Sequence, residues 1–363
     1  MLECILYKDI IVLKTLINIL LLFAVLAACT SSPHSEGQSY ADFPQMRELK
    51  GKAITLDTAL FRYPFRVRVQ GDKAVVMDLH GADYFCHIFH YRDFHYLLSF
   101  GKHGEAPDEQ ISIQNIRWNG DFLWALDANK SELTRFGFDL SGDSLLRQEV
   151  VNLDKDILRA LDFVMYDDTT FIIPDYSGDN RFCWMNRQGK LLRKMGEIPS
   201  TNEDALKNAR PALAQAWRSF IDYNSRNGVL AAVTQLGEVL EIYNLKDSTH
   251  VVRIGPNGEP KFQISDGYGI PTGIMGFSDV QVMDNAIYAV FHGRSFKEIA
   301  QNGQKGIYID GGQYIYVFSL KGEPLCKYVL DHYIYGISVN EEKGIILATD
   351  VNKDEPILEY KLN

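Results

Sequence analysis

One outline recurs along this chain: an apolar strand, a short polar turn, then a more apolar strand that closes on Asp, Thr or His. It is plainest from Ile116 to Asp127, IRWNGDFLWALD, where Asn119-Gly120-Asp121 makes the turn. Alternating or continuous apolar runs bounded by Gly, Asn and Asp read as strands joined by tight turns. The outline returns from Arg66 to Asp78, Asp162 to Asp175, Ile221 to Thr234, Asp279 to His292 and Gly336 to Asp350. Its spacing is roughly fifty to sixty residues. A third strand follows each pair, as in Leu133 to Phe138 or Tyr314 to Ser319. A turn such as Arg187-Gln188-Gly189 then leads to a fourth strand such as Leu191 to Met195. Four antiparallel strands at this period mark one blade of a β-propeller.

Six such units can be written down, and the last runs out of chain after Ile357 to Leu362. Near the other end, Ala53 to Leu56 is a strand without a unit of its own. Adding it to the sixth unit closes the ring and removes two open sheet edges, which otherwise invite aggregation. The fold class is therefore all-β, a six-bladed propeller over residues 53–363 closed by an N-terminal strand. Two separate β-sandwiches are the competing arrangement, but no linker interrupts the repeat.

The first residues are of another kind. Lys8 and Lys14 precede an apolar run from Leu16 to Ala28, broken only by Asn18. That run is short for a membrane span and ends in small residues, as a secretory signal does. Its close, Leu26-Ala27-Ala28-Cys29, resembles a bacterial lipobox. The resemblance implies a lipoprotein signal peptide over residues 1–28 and a diacylated Cys29. Ser, Pro and Gly without an apolar period then predict a flexible tether, with the lipidated Cys, over residues 29–52. The expected location is the outer membrane, on an exported chain. Some lipoproteins of Bacteroidetes carry an acidic run after the cysteine that routes them to the cell surface. Here the residues are Thr30, Ser31, Ser32 and Pro33, which favours the periplasmic face.

Phe100-Gly101-Lys102-His103-Gly104-Glu105-Ala106-Pro107, leading into Ile116 to Asp127, resembles a repeat of the NHL and TolB-like six-bladed propellers. Arg253-Ile254-Gly255-Pro256-Asn257-Gly258 echoes it. With the lipobox, the chain is similar to the TolB-like propeller lipoproteins of Bacteroidetes. That resemblance implies a fold and is nearly silent on function.

Composition narrows the function. The net charge of −10 argues against nucleic acid, which needs a basic footprint. No two cysteines form a CxxC pair, and Cys86, Cys183 and Cys326 sit in apolar strand contexts. Buried thiols are expected there, with a single disulfide as the alternative. GxSxG, HExxH and P-loop motifs are absent. His87 and His90 fall on opposite faces of one strand, which argues against a metal shared with His95. No metal or cofactor is implied, and a monomer is expected.

Strand-two ends and the crossings between blades lie on one face of a propeller. Asp78, Asp127, Asp175 and Asp350, with Thr234 and His292, occupy the strand-two ends. Carboxylates there could ring a hard cation, or each could pin its own loop through backbone N–H groups; the second is favoured. The stretches Gly101 to Ser112, Glu197 to Ser219, Gly255 to Phe277 and His292 to Gln313 exceed what a blade needs. In the second, Leu206, Ala209, Leu213, Ala216, Trp217 and Phe220 approximate a helical stripe, and Pro211 can start a turn. Loops beyond structural need are often functional. The candidate ligand-binding residues on that face are His80, Asp83, Asp175, Tyr176, Asp179, Arg181, Arg210, Trp217, His292 and Arg294. The reading is a lipid-anchored binding or scaffolding module for a protein, peptide or glycan. The alternative is a hydrolase or lyase at the channel mouth, using His292, Arg294 and the strand-two Asp residues.

Overall fold

Every repeat unit becomes one twisted antiparallel sheet. The first blade pairs Pro64–Gln70, Lys73–Asp78, Tyr84–His90 and Tyr96–Lys102 in chain order. The later blades start from inner strands Ile113–Asn119, Val164–Asp167, Ser219–Asn224, Phe277–Val282 and Ile337–Asn340. Second strands such as Val229–Thr234 and Ala286–Phe291 are buried along their whole length. A strand covered on both faces loses the apolar–polar alternation, which explains their continuous apolar runs. The computed structural model describes residues 37–57, 61–139, 142 and 144–362. The expected signal peptide over 1–28 and the lipidation site Cys29 lie outside the described residues.

The flexible tether expected over 29–52 needs correction for its described part. Gln38–Ser39 pairs parallel with Thr249–Ile254, as a fifth strand of the fourth blade. Met46–Leu49 pairs parallel with Pro324–Ile334, as a fifth strand of the fifth blade. Between them Tyr40 packs edge-on to Phe318 at 5.5 Å, and Phe43 sits 4.6 Å from the Tyr316 ring. The Tyr40 hydroxyl donates to Glu238 at 2.9 Å. A few well-separated rings hold this strap, so it leaves no period in the sequence.

The strap ends at Lys52–Ala53, which pairs antiparallel with Ile357–Lys361 and completes the sixth blade. This strand is shorter than the expected Ala53 to Leu56. Ile54, Leu56 and Phe61 instead pack against Val67, Phe89 and Leu347, between the sixth and first blades. The core otherwise lies between neighbouring blades. Trp124 meets Phe171 at 5.0 Å, and Phe182 meets Tyr243 at 5.2 Å. Cys86, Cys183 and Cys326 are buried free thiols.

Around the axis, polar side chains of one inner strand bind the backbone of the next. Asp162 accepts from Ile221 N at 2.8 Å, Asp222 from Val282 N at 2.7 Å, and Asp279 from Ile337 N at 2.9 Å. Gln281 accepts from Val339 N at 2.7 Å, and Ser338 from Val69 N at 3.2 Å. Arg68 closes the circuit: it holds Asp279 with both terminal nitrogens and donates to Ile337 O at 2.7 Å. Arg117 donates to Phe163 O and Ile221 O while pairing with Asp162 at 3.0 Å.

Candidate functional site

The long crossings build a continuous layer on one face. Asn202 caps Glu203–Asn208 by accepting from Ala205 N at 3.0 Å, and Pro211 stands in the first turn of Arg210–Ala216. These helices carry Leu206, Leu213 and Ala216 of the expected stripe, with Ala209 between them; Trp217 caps the second, and Phe220 lies on the strand Ser219–Asn224 instead. The hairpin Phe262–Ser265 and Tyr268–Pro271 lies against the second helix, where Gly269 N donates to Gln215 Oε1 at 3.1 Å. A Cβ on Gly269 would stand 2.5 Å from Ala212 O, so this approach needs glycine.

The following loops are stitched to these. Isolated bridges join Leu236 to Met275 and Ile274 to Ser295. Ser295 then starts the helix Phe296–Gln304 through a full capping box with Glu298. Arg294 donates to Ile309 O at 2.8 Å and Gly311 O at 2.9 Å. Asp310 N donates to Asn352 Oδ1 at 2.9 Å, and the Tyr63 hydroxyl donates to the Asp310 carboxylate. The layer thus runs from the third blade round to the first.

The structure separates the sequence candidates by role. Arg181 is buried: it donates to Glu241 Oε1 at 2.6 Å, to Ser219 Oγ at 2.7 Å and to Trp217 O at 3.1 Å. Trp217 and Tyr176 are buried beside it, with the Tyr176 hydroxyl reaching Ser219 O at 3.4 Å. Asp175 is buried and accepts from Ser177 N and Oγ, with Lys194 at 3.1 Å. These four support the loop layer from within and do not present themselves to a ligand. Arg210 and Asp179 are exposed and pair loosely at 3.7 Å. His80 is exposed, its ring edge-on to Tyr63 at 5.2 Å, and exposed Asp83 accepts from His103 N through its carbonyl at 2.8 Å.

The strand-two carboxylates act within their own blade or on the segment that leads into it. Asp78 accepts from Arg62 N, Tyr63 N and His80 N at 2.6–3.0 Å. Asp127 accepts from the amides of Ile111, Ser112, Asn129 and Lys130 at 2.7–3.2 Å. Asp350 accepts from Asn352 N at 2.9 Å and faces His332 Nδ1 at 3.0 Å. Each carboxylate secures its own loop.

At the channel mouth a buried floor meets a half-buried rim. Tyr335 stands between them: its ring is 5.6 Å from His292 and 4.6 Å from Phe65, and Arg66 lies 5.9 Å from its centre. The Arg66 guanidinium also covers Phe65 at 4.0 Å and Phe220 at 4.6 Å. Complete burial pulls Arg66 down to about 10, against the pull of Asp279. Burial likewise pulls His292 down to about 4, although Asp310 favours its charged form. Burial, then Asp310, pushes Tyr335 up to about 12. Tyr63, Tyr335, Asp310 and Arg66 were not singled out in the sequence. The cue for Arg66 is an arginine at an inward place of the alternating stretch Arg66-Val67-Arg68-Val69.

A catalytic reading asks His292, Arg294 and the strand-two Asp residues to converge in one cleft. Arg294 is engaged by two carbonyls and the carboxylates by their loops, while His292 is buried with neither ring nitrogen hydrogen-bonded. A groove of about 640 Å³ lies elsewhere, at the rim between the sixth and first blades beside the short turns. It is lined by Lys52, Ile54, Tyr91, Arg92, Phe94 and Lys343 among others, none of them a sequence candidate. The mouth and its loops hold the aromatic and charged groups gathered on one face; the groove is a second, separate feature.

A family model described as TolB-like 6-blade propeller-like matches residues 42–342. No curated protein matches the sequence. Among solved structures, a Bacteroides fragilis NCTC 9343 protein designated as exported is similar, with 11% identity, TM-score 0.53, and coverage of 89% of this chain and 98% of that one. A member of the duf4221 family from Bacteroides vulgatus has 11% identity and TM-score 0.54, covering 86% and 97%. The U3-55K structure has 7% identity and TM-score 0.51, covering 86% and 98%. At such identities the likeness is one of fold.

Proposed function

The chain belongs to the TolB-like six-bladed propeller family, and we propose that it works as an exported binding module whose long-loop face holds a protein partner. The observation that carries this reading is where the large exposed apolar side chains stand. Ile264, Tyr268 and Ile270 project from the hairpin, and Ile307, Tyr308 and Ile309 from the loop over the fifth blade. Tyr308 is 82% exposed. Met46, Leu97, Leu146, Leu192 and Leu325 stand instead on outermost strands. Clustered exposed apolar groups mark interaction surfaces, and Tyr is favoured there because it buries area while keeping a polar end.

The module is held by a lipid on Cys29 at the periplasmic face of the outer membrane. The lipobox Leu26-Ala27-Ala28-Cys29 supports this. No helix among the described residues is long and apolar enough to cross a membrane.

Chemical crosslinking of envelopes tests the face. Tyr268→Ser with Tyr308→Ser is expected to lose the wild-type crosslinked species. Leu146→Ser with Leu192→Ser, on the outer strands, is expected to keep it. Surface changes of this kind shift stability by only about 0.5 kcal/mol, so a lost crosslink reads as lost contact. A crosslink pattern unchanged in the double Tyr variant would overturn the assignment. Cys29→Ala should move the protein from the membrane to the soluble fraction.

A further inference from the structure

The floor of the channel mouth holds hydrogen-bond donors that nothing in the chain satisfies. Arg66 is wholly buried, and only its Nη1 is bonded, to Phe65 O at 3.2 Å; Nε and Nη2 have no partner. Asp279 is the nearest anion, with Oδ1 at 3.5 Å from Nε, but its capacity is taken. Oδ1 accepts from Arg68 Nη2 at 2.8 Å and Val280 N at 3.0 Å. Oδ2 accepts from Arg68 Nη1 at 3.0 Å and Ile337 N at 2.9 Å. A carboxylate that accepts four bonds has none left for a fifth donor. On the other side of Tyr335, buried His292 has both ring nitrogens unbonded. Arg218 heads the fourth inner strand; its Nε donates to Gln215 O at 3.1 Å, and its charge reaches Tyr335. The rim carboxylate Asp310 is engaged by Gly311 N and the Tyr63 hydroxyl. A buried donor left unpaired is costly, and an arginine has no acceptor of its own, so what this site lacks is an acceptor.

We propose that the channel mouth binds a carboxylate on an apolar body, held by Arg66 from below with Arg218 and His292 beside it. A carboxylate offers two oxygens to the free edge of a guanidinium, the pairing that arginine favours. Phe65 and Phe220 cover Arg66 at 4.0 and 4.6 Å, so the walls suit an apolar body. A dianionic phosphate is disfavoured, because more charge must leave water for a place near Asp279 and Asp310. Arg66 is sealed, so entry requires Tyr335 to turn aside. The backbone there is fixed: a Cβ on Gly336 would stand 2.6 Å from Phe65 O. The Tyr335 ring is only half-buried, and a change of rotamer carries it towards solvent without moving the strand. The carboxylate has two sources, a small free acid or the C-terminus of the partner held on the long-loop face; the second alone rests on the function proposed above.

The test is isothermal titration calorimetry of the purified full chain with benzoate, benzamide, phenyl phosphate and the peptide Ala-Ala-Phe as free acid and as amide. Benzoate is expected to bind saturably. Benzamide should bind at least about tenfold more weakly, since it lacks the charge and the second acceptor, and phenyl phosphate should also bind more weakly. A free-acid peptide that binds more tightly than benzoate, with its amide silent, makes a partner's C-terminus the source. A free-acid peptide that binds less tightly makes the source a small acid, and either result upholds the site. Arg218→Gln should weaken benzoate about tenfold, and Arg66→Lys, which keeps the charge and loses the planar fork, by at least as much. Tyr335→Ala should speed association in stopped-flow mixing, because the cover is gone. Tyr268→Ser with Tyr308→Ser should leave benzoate binding unchanged, so this proposal and the long-loop assignment fail separately. No binding of benzoate, equal binding of benzamide, preference for phenyl phosphate, or indifference to both arginine substitutions would each overturn the proposal. The probe comparisons use the wild-type protein and so do not depend on a variant folding.

Discussion

His292 and His87 carry imidazoles in places that water hardly reaches. Burial pulls each down to about 4 from an ordinary value near 6.5. Asp310 opposes the effect at His292 and Asp78 at His87, and in both cases burial wins. The unfolded chain therefore takes up these protons as pH falls through 6.5, while the folded chain resists until about 4. Stability present in full above pH 6.5 is lost progressively down to pH 4, by up to about 3 kcal/mol for each histidine. Urea midpoints at pH 7.0, 5.5 and 4.5 should fall in that order, and His292→Gln should flatten the dependence by roughly half. A midpoint indifferent to pH over this range would contradict the burial of both rings. Single residues were the least legible part of the sequence. Arg181 reads as a loop cation available to a ligand. Its true partner, Glu241, lies sixty positions on in the next blade, and no local pattern announces such a pair.

Elements were far more legible, because their cause is local. Period-two apolar runs and Gly or Asn turns produced the strands, and the stripe around Leu206 and Leu213 produced two helices. The helix Phe296–Gln304 is not among the expected elements, although Ser295 and Glu298 spell a capping box and Phe296, Ile299 and Ala300 fall at i, i+3 and i+4; it is short and has no buried residue, so packing does not mark it out. The strap from Gly37 was missed for a related reason. It is held by isolated anchors and by parallel pairing to strands that lie far away in sequence. Deleting residues 37–49 tests what it contributes. Lys52–Ala53 stays, so the ring keeps its closing strand, but Tyr40, Phe43 and Leu49 are lost. Each such side chain contributes about 1.5–3 kcal/mol when fully buried, and the first two are only partly so. The deletion should therefore cost about 3–6 kcal/mol in denaturant titrations. It also bares the outer edges of Thr249–Ile254 and Pro324–Ile334. Concentration-dependent light scattering should follow, since open edges pair with other chains. An unchanged midpoint together with unchanged scattering would mean that the strap is merely resting on the blades.

At the scale of the ring, two sets of aspartates look alike in the sequence and act over different distances. Asp78, Asp127, Asp175 and Asp350 bind amides of their own blade or of the crossing that leads into it. Asp162, Asp222 and Asp279 bind amides 58–60 positions further on, across the gap to the next blade. Repeats whose contacts are mostly with neighbours can unfold piecemeal unless the interfaces couple them. The axial carboxylates provide that coupling, and Asp279 does most of it. It accepts from Ile337 N, holds Arg68 at 2.8 Å and stands 3.5 Å from Arg66. Burial alone would raise its carboxyl, yet the two guanidinium groups hold it below the usual range. Asp279→Ala leaves two buried cations short of their shared anion, and such losses cost about 3–5 kcal/mol. Asp127→Ala leaves a few amides near the surface to find water, a loss of about 1–3 kcal/mol. Hydrogen exchange distinguishes the two beyond magnitude. In Asp127→Ala, faster exchange should be confined to residues near Ile111 and Lys130. In Asp279→Ala it should spread to blades that Asp279 never touches, because the coupling between sheets has been cut. Exchange that stayed local in both variants would mean that the blades stand independently and that the axial network is not what makes the ring a single cooperative body.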